Sequence, residues 1–151
     1  MAVTITPYNH TALQLLDNAL STEAPNFYLA LSDGTTAFDA AHTSLSETLG
    51  GGVDEVYSNG WPQGGVQLAG FSVATTGTTN ATIDADDITV AATGGAISAT
   101  HAVIYLDVGG AGTTMVPLWH ISFGEQITAP DGVDFQVVWD AAGIATVSLA
   151  T

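Results

Sequence analysis

The chain has 151 residues and a formal net charge of −15, because it contains 15 Asp and Glu residues and neither Lys nor Arg. Proteins that bind nucleic acid neutralise phosphates with Lys and Arg, and anionic lipid surfaces attract the same side chains. We therefore expect neither nucleic acid nor a membrane as a partner. The carboxylates, which have no basic side chain to pair with, are expected to be solvated or to accept hydrogen bonds from backbone N–H groups.

Hydrophobic residues make up 46% of the chain, which is enough for a folded core, and this length is typical of one domain. We expect a single β-rich domain over residues 1–151. The sequence has no basic leader and no apolar run long enough to span a bilayer. These features predict synthesis in a cytoplasm without a classical export signal.

One helix is predicted near the N-terminus. Thr6 offers a capping hydroxyl before Pro7, a residue that is favoured in the first helical turn. Leu13, Leu16 and Leu20 recur at helical spacing. We expect this helix to cover residues 7–20.

The rest of the chain is predicted to form β-structure, because short apolar or alternating runs are separated by turns rich in Gly and Asp. The predicted strands cover residues 27–31, 53–57, 66–74, 81–92, 97–107, 115–123, 133–139 and 143–149. Residues 35–52 are interpreted as a long polar loop. About seven or eight strands at this spacing indicate a mainly β fold, an antiparallel β-sandwich or squat barrel with one N-terminal α-helix.

Two local patterns refine this prediction. The apolar alternation changes phase at Gly70, which predicts a β-bulge there, and residues 81–92 change phase in the same way. Asp140-Ala141-Ala142-Gly143 predicts a hairpin turn between the last two strands, with Gly143 at the position that requires positive φ.

Asp84, Asp86 and Asp87 form the densest acidic cluster. On a strand, Asp84 and Asp86 would face the same side, and Ca²⁺ prefers several oxygen ligands, so a weak calcium site is one interpretation. The sequence does not continue as an EF-hand loop. The other interpretation is a solvated strand edge whose charges prevent pairing with another edge. We favour the strand edge and expect no cofactor.

Catalytic motifs are missing from the sequence. A Gly-x-Ser-x-Gly pattern does not occur, and the adjacent Asp54 and Glu55 would face opposite sides of a strand. The four histidines lack the spacing of zinc ligands; they are His10, His42, His101 and His120. We expect neither a catalytic nor a zinc site, and therefore a protein that is not an enzyme.

Aromatic residues are the remaining candidates for a binding surface. Trp119 and Trp139 lie in alternating strands with aliphatic neighbours, which favours a place in the core. Trp61 lies in a predicted loop that is rich in Gly. We therefore predict Tyr57, Trp61 and Pro62 as residues that contact a partner.

Several motifs, in the same order over nearly the whole chain, resemble those of small structural proteins of tailed-bacteriophage virions, of the head decoration or fibre-like type. They are Ala12-Leu13-Gln14-Leu15-Leu16-Asp17, Phe27-Tyr28-Leu29-Ala30-Leu31, Asn59-Gly60-Trp61, Gly64-Gly65-Val66, Asp84-Ala85-Asp86-Asp87-Ile88-Thr89, Ala102-Val103-Ile104-Tyr105, Ile121-Ser122-Phe123-Gly124 and Trp139-Asp140-Ala141-Ala142-Gly143-Ile144. These motifs are strands and turns, so the resemblance implies a structural role and no active site. Such proteins usually contain some Lys and Arg, and this chain departs from them in having none.

The resemblance implies a non-enzymatic virion protein that is made in the host cytoplasm. We expect a capsid decoration (cement) protein that binds the major capsid protein or other virion proteins and forms a homo-oligomer in the particle. A tail tube or head–tail connector subunit is the alternative within this class. A receptor- or carbohydrate-binding module, with Tyr57 and Trp61 as its platform, is the alternative from another class.

Overall fold

The computed structural model describes residues 3–16, 26–34, 36–76, 80–109 and 115–148. These residues form the helices α1 Asn9–Leu16 and α2 Leu45–Thr48 and a 3-10 turn, Gly50–Gly52. The strands are β1 Thr4–Pro7, β2 Phe27–Ser32, β3 Glu55–Val56, β4 Val66–Gln67, β5 Ser72–Thr76, β6 Asn80–Asp84, β7 Ile88–Ala91, β8 Ile97–Asp107, β9 Met115–Ala129, β10 Asp134–Val137 and β11 Ala145–Ser148. The predicted mainly β fold with a short N-terminal helix is confirmed.

The strands form three antiparallel sheets in a sandwich-like arrangement. The main sheet has six strands in the order β1-β9-β8-β2-β3, and β4 also pairs with β2. A three-stranded sheet has the order β11-β6-β5, and β10 and β7 form a two-stranded ribbon. β8 and β9 are the longest strands, and their register shifts between Ala99 and His101 and again between Ile104 and Tyr105.

The main core is an apolar cluster to which all three sheets contribute. β2 contributes Phe27 and Leu29, the three-stranded sheet contributes Ile83, and the ribbon contributes Phe135. Phe71, just before β5, stacks on Phe27 with ring centroids 3.9 Å apart. Burial of this apolar surface holds the sheets together.

A second apolar cluster covers the opposite face of the main sheet. It combines Ala30 of β2 and Tyr105 of β8 with Leu45 of α2 and Leu49, the residue that follows α2. The main sheet is therefore buried on both faces around β2. This explains why the sequence of β2 is a continuous apolar run rather than an alternation.

The N-terminal helix begins later than the sequence predicts. Thr6 and Pro7, the predicted cap and first turn, lie in β1 and pair with β9. An edge strand tolerates proline where the missing N–H would point away from the neighbouring strand. α1 therefore begins at Asn9 and is described as far as Leu16, and residues 17–20 of the predicted helix lie outside the described residues.

The predicted long loop contains helical structure, so that interpretation is wrong for residues 45–48 and 50–52. The Ser44 hydroxyl accepts a hydrogen bond from the Glu47 N–H (3.3 Å), and the Glu47 carboxylate accepts one from the Ser44 N–H (3.2 Å). This capping box satisfies backbone donors at the start of α2. The short helix places Leu45 and Leu49 in the second apolar cluster.

The predicted bulge at Gly70 is a turn instead. Gly70 has φ +63° and lies between β4 of the main sheet and β5 of the three-stranded sheet. In the same way, residues 85–87 separate β6 of the three-stranded sheet from β7 of the ribbon. Each phase change therefore marks a point where the chain crosses between sheets.

Asp140-Ala141-Ala142-Gly143 forms a turn, as predicted, but not a hairpin. The Gly143 N–H donates to the Asp140 carbonyl (2.8 Å), and Gly143 has φ +90°. β10 before the turn pairs with β7, whereas β11 after it pairs with β6. The turn therefore carries the chain from the ribbon to the three-stranded sheet.

The remaining predicted strands differ from the structure mainly in their bounds. The strand predicted at residues 53–57 is only Glu55–Val56, and the one predicted at 115–123 continues to Ala129. The last two predicted strands are shortened to Asp134–Val137 and Ala145–Ser148. Residue 149 lies outside the described residues.

Candidate interaction cleft

An apolar cleft runs beside β1. One part has a volume of about 690 Å³ and lies between β1, β9 and residues 135–144. The adjoining part, about 570 Å³, lies between β1 and α1 on one side and β11 on the other. Ile5 and Ile144 line both parts, so we treat them as one continuous feature and name it the β1 cleft.

Large apolar side chains stand exposed along the β1 cleft. Ile5 is 38% exposed, Ile127 41%, Val3 58% and Val138 68%. Ile144 is buried and contributes to the main core as well as to the cleft wall. Adjoining exposed apolar side chains of this kind are typical of surfaces that bind another protein.

The β1 cleft is bordered by an edge of the main sheet that has no second partner strand among the described residues. β1 is the terminal strand of the main sheet, and within the described ranges it pairs only with β9. β1 and β11 each have four residues, and their side chains are apolar or carry hydroxyls. Charged side chains are a common protection against pairing with another chain, and neither strand has one.

A hydrogen bond of Tyr8, the residue after β1, shows which residues of β1 direct their backbone groups towards β9 and which direct them outward. The Tyr8 N–H donates to the Leu118 carbonyl (2.9 Å), in register with the β1–β9 pairs. Residues of an antiparallel strand point their backbone groups towards and away from the neighbour alternately. Ile5 and Pro7 therefore direct their backbone groups outward, and Pro7 has no N–H to leave unpaired.

Trp61, predicted to contact a partner, does not lie on the surface. Its side chain is only 2% exposed, and its ring meets the Phe135 ring edge-on with centroids 5.6 Å apart. The Gly-rich link brings the indole into the main core, so the prediction is wrong for this residue. Tyr57 is 54% exposed and Pro62 is also exposed, and their contact with a partner stays a prediction.

Tyr57 borders a polar pocket of about 470 Å³, which Asp33, Glu55 and Asn59 also line. Glu55 Oε1 accepts a hydrogen bond from the Gly64 N–H (2.5 Å). The pocket shares no lining residue with the β1 cleft. The described residues thus offer two separate surfaces, one apolar and one polar.

The acidic cluster accepts backbone hydrogen bonds at the link between β6 and β7. Asp84 ends β6, and Asp86 and Asp87 lie in the link itself. Asp87 Oδ1 accepts a hydrogen bond from the Trp139 N–H (2.9 Å), and Asp84 Oδ1 accepts one from the Ala85 N–H (2.9 Å). The predicted strand edge is wrong, because β6 is the central strand of its sheet and residues 85–87 lie outside a strand. Among the residues that the structure describes, no group of three or more His, Asp and Glu side chains is arranged to hold a metal ion.

Two histidines form a ring cluster on the main sheet. The ring centroids of His101 and His120 lie 5.0 Å apart, and Phe38 lies 4.9 Å from His120 and 5.0 Å from Tyr8. Burial lowers the pKa of both histidines. The neighbouring His101 further lowers the pKa of His120, which reaches about 4. Both rings are therefore neutral at pH 7 and pack as uncharged groups.

The β1 cleft could not be found from the sequence, because its walls come from distant segments. Residues 3–12 line it together with residues 119–127 and 135–147. The one local signal is the alternation Thr4-Ile5-Thr6-Pro7, which is typical of an edge strand that ends at a proline. The predicted start of a helix at Pro7 concealed that signal.

Comparison with protein-family models, curated proteins and solved structures gives no match for this chain. The resemblance to tailed-bacteriophage virion proteins is therefore carried by the sequence motifs alone. Within the described ranges, no helix has both the length and the apolar character needed to cross a membrane.

Proposed function

We propose that the protein is a non-enzymatic structural component of a bacteriophage virion, a decoration (cement) protein that binds the major capsid protein. The sequence motifs that resemble virion proteins support the class. The observation that carries the proposal is the β1 cleft, because exposed apolar side chains beside the terminal strand of a sheet are suited to contact with another protein.

Decoration stabilises a shell through binding energy alone. A protein that binds the assembled capsid and not its dissociated subunits shifts the equilibrium towards assembly. This chain brings apolar side chains and carboxylates to such a contact and no basic side chain. The facing capsid surface must therefore supply apolar groups, Lys or Arg.

The copy number in the particle tests this proposal. Quantitative mass spectrometry of purified particles of the phage that encodes the chain compares its abundance with that of the major capsid protein. A decoration protein is expected at a comparable copy number. A few copies per particle would indicate a connector or a tail component, and absence from the particle would overturn the proposal.

The polar pocket beside Tyr57 favours a second candidate, a receptor- or carbohydrate-binding module. Aromatic faces pack on sugar rings, and carboxylates such as those of Asp33 and Glu55 accept hydrogen bonds from hydroxyl groups. Trp61 cannot belong to this platform, because it is buried.

A glycan array probed with the wild-type protein, Tyr57→Ala and Val138→Ala separates the two candidates. Val138 is an exposed apolar residue outside the polar pocket, so its variant controls for nonspecific loss. Binding that only Tyr57→Ala abolishes supports the module. An array without signal for the wild type rejects it.

A further inference from the structure

We propose that the outer edge of β1 binds an extended segment of a different protein, which joins the main sheet as an added strand and packs its apolar side chains into the β1 cleft. This inference deepens the proposed function and rests on it for the identity of the partner. The strand addition itself rests on the geometry of β1, β9 and β11.

The backbone of β1 is in the required phase. Ile5 directs both its N–H and its carbonyl away from β9, and Pro7 directs its carbonyl the same way, as the Tyr8–Leu118 hydrogen bond establishes. An added strand can therefore exchange hydrogen bonds with Ile5 and donate one to Pro7. Hydrogen bonds of this kind give strand addition its affinity.

The β1 cleft determines which side chains the added strand needs. Successive side chains of a strand point to opposite faces of the sheet. Those on the face of Ile5 would meet Ile144 and Val147 across the cleft, and those on the other face would lie beside Thr4 and Thr6. The segment is therefore expected to be apolar at alternate positions and polar between them.

The net charge of the chain favours a different protein over a second copy of this chain as the occupant of the cleft. Two copies would bring −15 each and no basic side chain to offset their repulsion. A segment flanked by Lys or Arg would instead be attracted by the net negative charge, and the carboxylate of Asp140 lies at the cleft itself. The occupant is therefore expected to be an extended, lysine- or arginine-flanked segment of another protein.

Peptide binding to the full chain tests the strand addition. The probe is the synthetic peptide KKTVTVTVTKK, titrated calorimetrically at low salt, and EETVTVTVTEE is its charge control. The lysine-flanked peptide is expected to bind with a dissociation constant on the order of 100 µM, and the glutamate-flanked peptide at least about tenfold more weakly.

Ile5→Pro is the decisive variant. It removes the outward N–H of β1 without removing a hydrogen bond to β9, so the melting temperature should change little and the affinity should fall about tenfold. Val138→Asn places a polar, uncharged side chain in the cleft at a residue that is 68% exposed, and it keeps the test valid if Ile5→Pro does not fold. Val53→Asn is the matched control, because Val53 is 85% exposed and lies outside the cleft.

Each outcome bears on the strand addition. Loss of binding in Ile5→Pro or Val138→Asn, with binding retained in Val53→Asn, supports it. Failure of the wild type to bind the lysine-flanked peptide, or equal binding by all variants, overturns it. A wild-type dimer that Ile5→Pro dissociates would place a second copy in the cleft and overturn the assignment of the occupant.

Incorporation of the wild type and the variants into virions distinguishes this inference from the proposed function. If the wild type is present in particles and Ile5→Pro and Val138→Asn are incorporated equally well, a virion protein as the occupant of this edge is overturned and the function stands. If the wild type is absent from particles while the peptide binds, the function fails and the strand site stands.

Discussion

Tyr57 and Trp61 lie only four positions apart in the sequence but differ strongly in burial. Tyr57 is 54% exposed, whereas Trp61 is 2% exposed and packs against Phe135. Gly and Pro around Trp61 predict an exposed link, and that local expectation is correct for Pro62. The indole of Trp61 is large and apolar, so its burial stabilises the protein. Whether it can be buried depends on the core that distant segments assemble.

Trp61→Ala should therefore destabilise the protein on its own, without any partner. Truncation of a buried aromatic side chain leaves a cavity, so the free energy of unfolding should fall by about 3–5 kcal/mol. Tyr57→Ala is the matched control and should change it by less than about 1 kcal/mol. Urea titrations measure both, and equal stability of Trp61→Ala and the wild type would contradict the core assignment.

His120 should make the stability depend on pH. An unfolded histidine titrates near pH 6.5, whereas the folded pKa of His120 is about 4 because of burial and the neighbouring His101. Between these values the unfolded chain binds more protons, so the free energy of unfolding falls as the pH is lowered from 7 to 5. Allowing for solvent screening, the expected loss is about 1 kcal/mol at pH 5.

Chemical denaturation at pH 7 and pH 5 measures this loss. His120→Gln should reduce it, since glutamine does not titrate. His10→Gln, outside the ring cluster, should retain it. The same pH dependence in His120→Gln and in the wild type would show that His120 does not contribute.

Among the elements, α2 depends on its cap more than on its length. It has four residues, and Ser44 and Glu47 bond each other's backbone N–H groups. Backbone hydrogen bonds from Thr43 and Ser44 also lower the pKa of Glu47. The fixed α2 positions Leu45 and Leu49 against the main sheet.

Ser44→Ala should lower the free energy of unfolding by about 1 kcal/mol, because it removes the hydroxyl that accepts from the Glu47 N–H. Ser46→Ala is the matched control within the same helix, since Ser46 is exposed and alanine favours helix. Thermal melts compare the two variants. Equal stability of both would mean that the capping box is not formed in solution.

The turn before β4 depends on the absence of a side chain. Gly65 has φ +83°, and a Cβ there would lie 2.0 Å from the Leu29 carbonyl oxygen. Gly64 has a similar φ of +80°, but its Cβ would lie 3.5 Å from the Tyr105 hydroxyl oxygen, which is an ordinary contact. The two neighbours therefore have similar φ angles and differ in the space available for a Cβ.

Gly65→Ala should cost more than about 3 kcal/mol, whereas Gly64→Ala should cost only the backbone strain of about 1–2 kcal/mol. Urea denaturation of both variants measures the difference. Similar losses would mean that β4 can move away from β2 and that the close approach is not required.

The elements that the sequence predicts well are those whose pattern is local. β8 has the predicted bounds, and β2 differs by one residue, because long apolar runs fix them. The phase changes at Gly70 and near Ala85 are visible in the sequence, but whether a strand bulges or leaves its sheet depends on the partner strands. The Ser44–Glu47 capping box is also visible in the sequence, and its spacing could have predicted α2.

The candidate site is less predictable than the fold. Val3, Ile5 and Val138 are ordinary apolar residues in short or irregular segments, and no pattern links them along the chain. They line one cleft because β1 pairs with β9 while β10, the strand before Val138, pairs with β7. The cleft is therefore a product of sheet order, which the sequence pattern does not determine.

Across the whole molecule, carboxylates take the role of backbone caps, as the composition predicts. Asp87 binds the Trp139 N–H, Asp131 binds the Gly94 N–H (2.9 Å), and Asp54 binds the Thr36 N–H (3.0 Å). These hydrogen bonds stabilise turns and links that join distant parts of the chain. They do not neutralise the charges, so the repulsion among carboxylates remains.

The melting temperature should therefore rise when salt is added. Salt reduces the range of charge repulsion from about 30 Å at 0.01 M to about 10 Å at 0.1 M. If screening recovers about 1 kcal/mol, a domain of this size gains about 2–4 °C. Calorimetry in NaCl and in KCl at matched ionic strength measures the rise, which should be the same for both salts because screening depends on ionic strength. Glu125→Gln combined with Asp134→Asn removes two exposed carboxylates and should make the rise smaller. A melting temperature that stays constant or falls between 0.01 M and 0.1 M salt would mean that the 15 acidic residues are too widely spaced for their repulsion to limit stability.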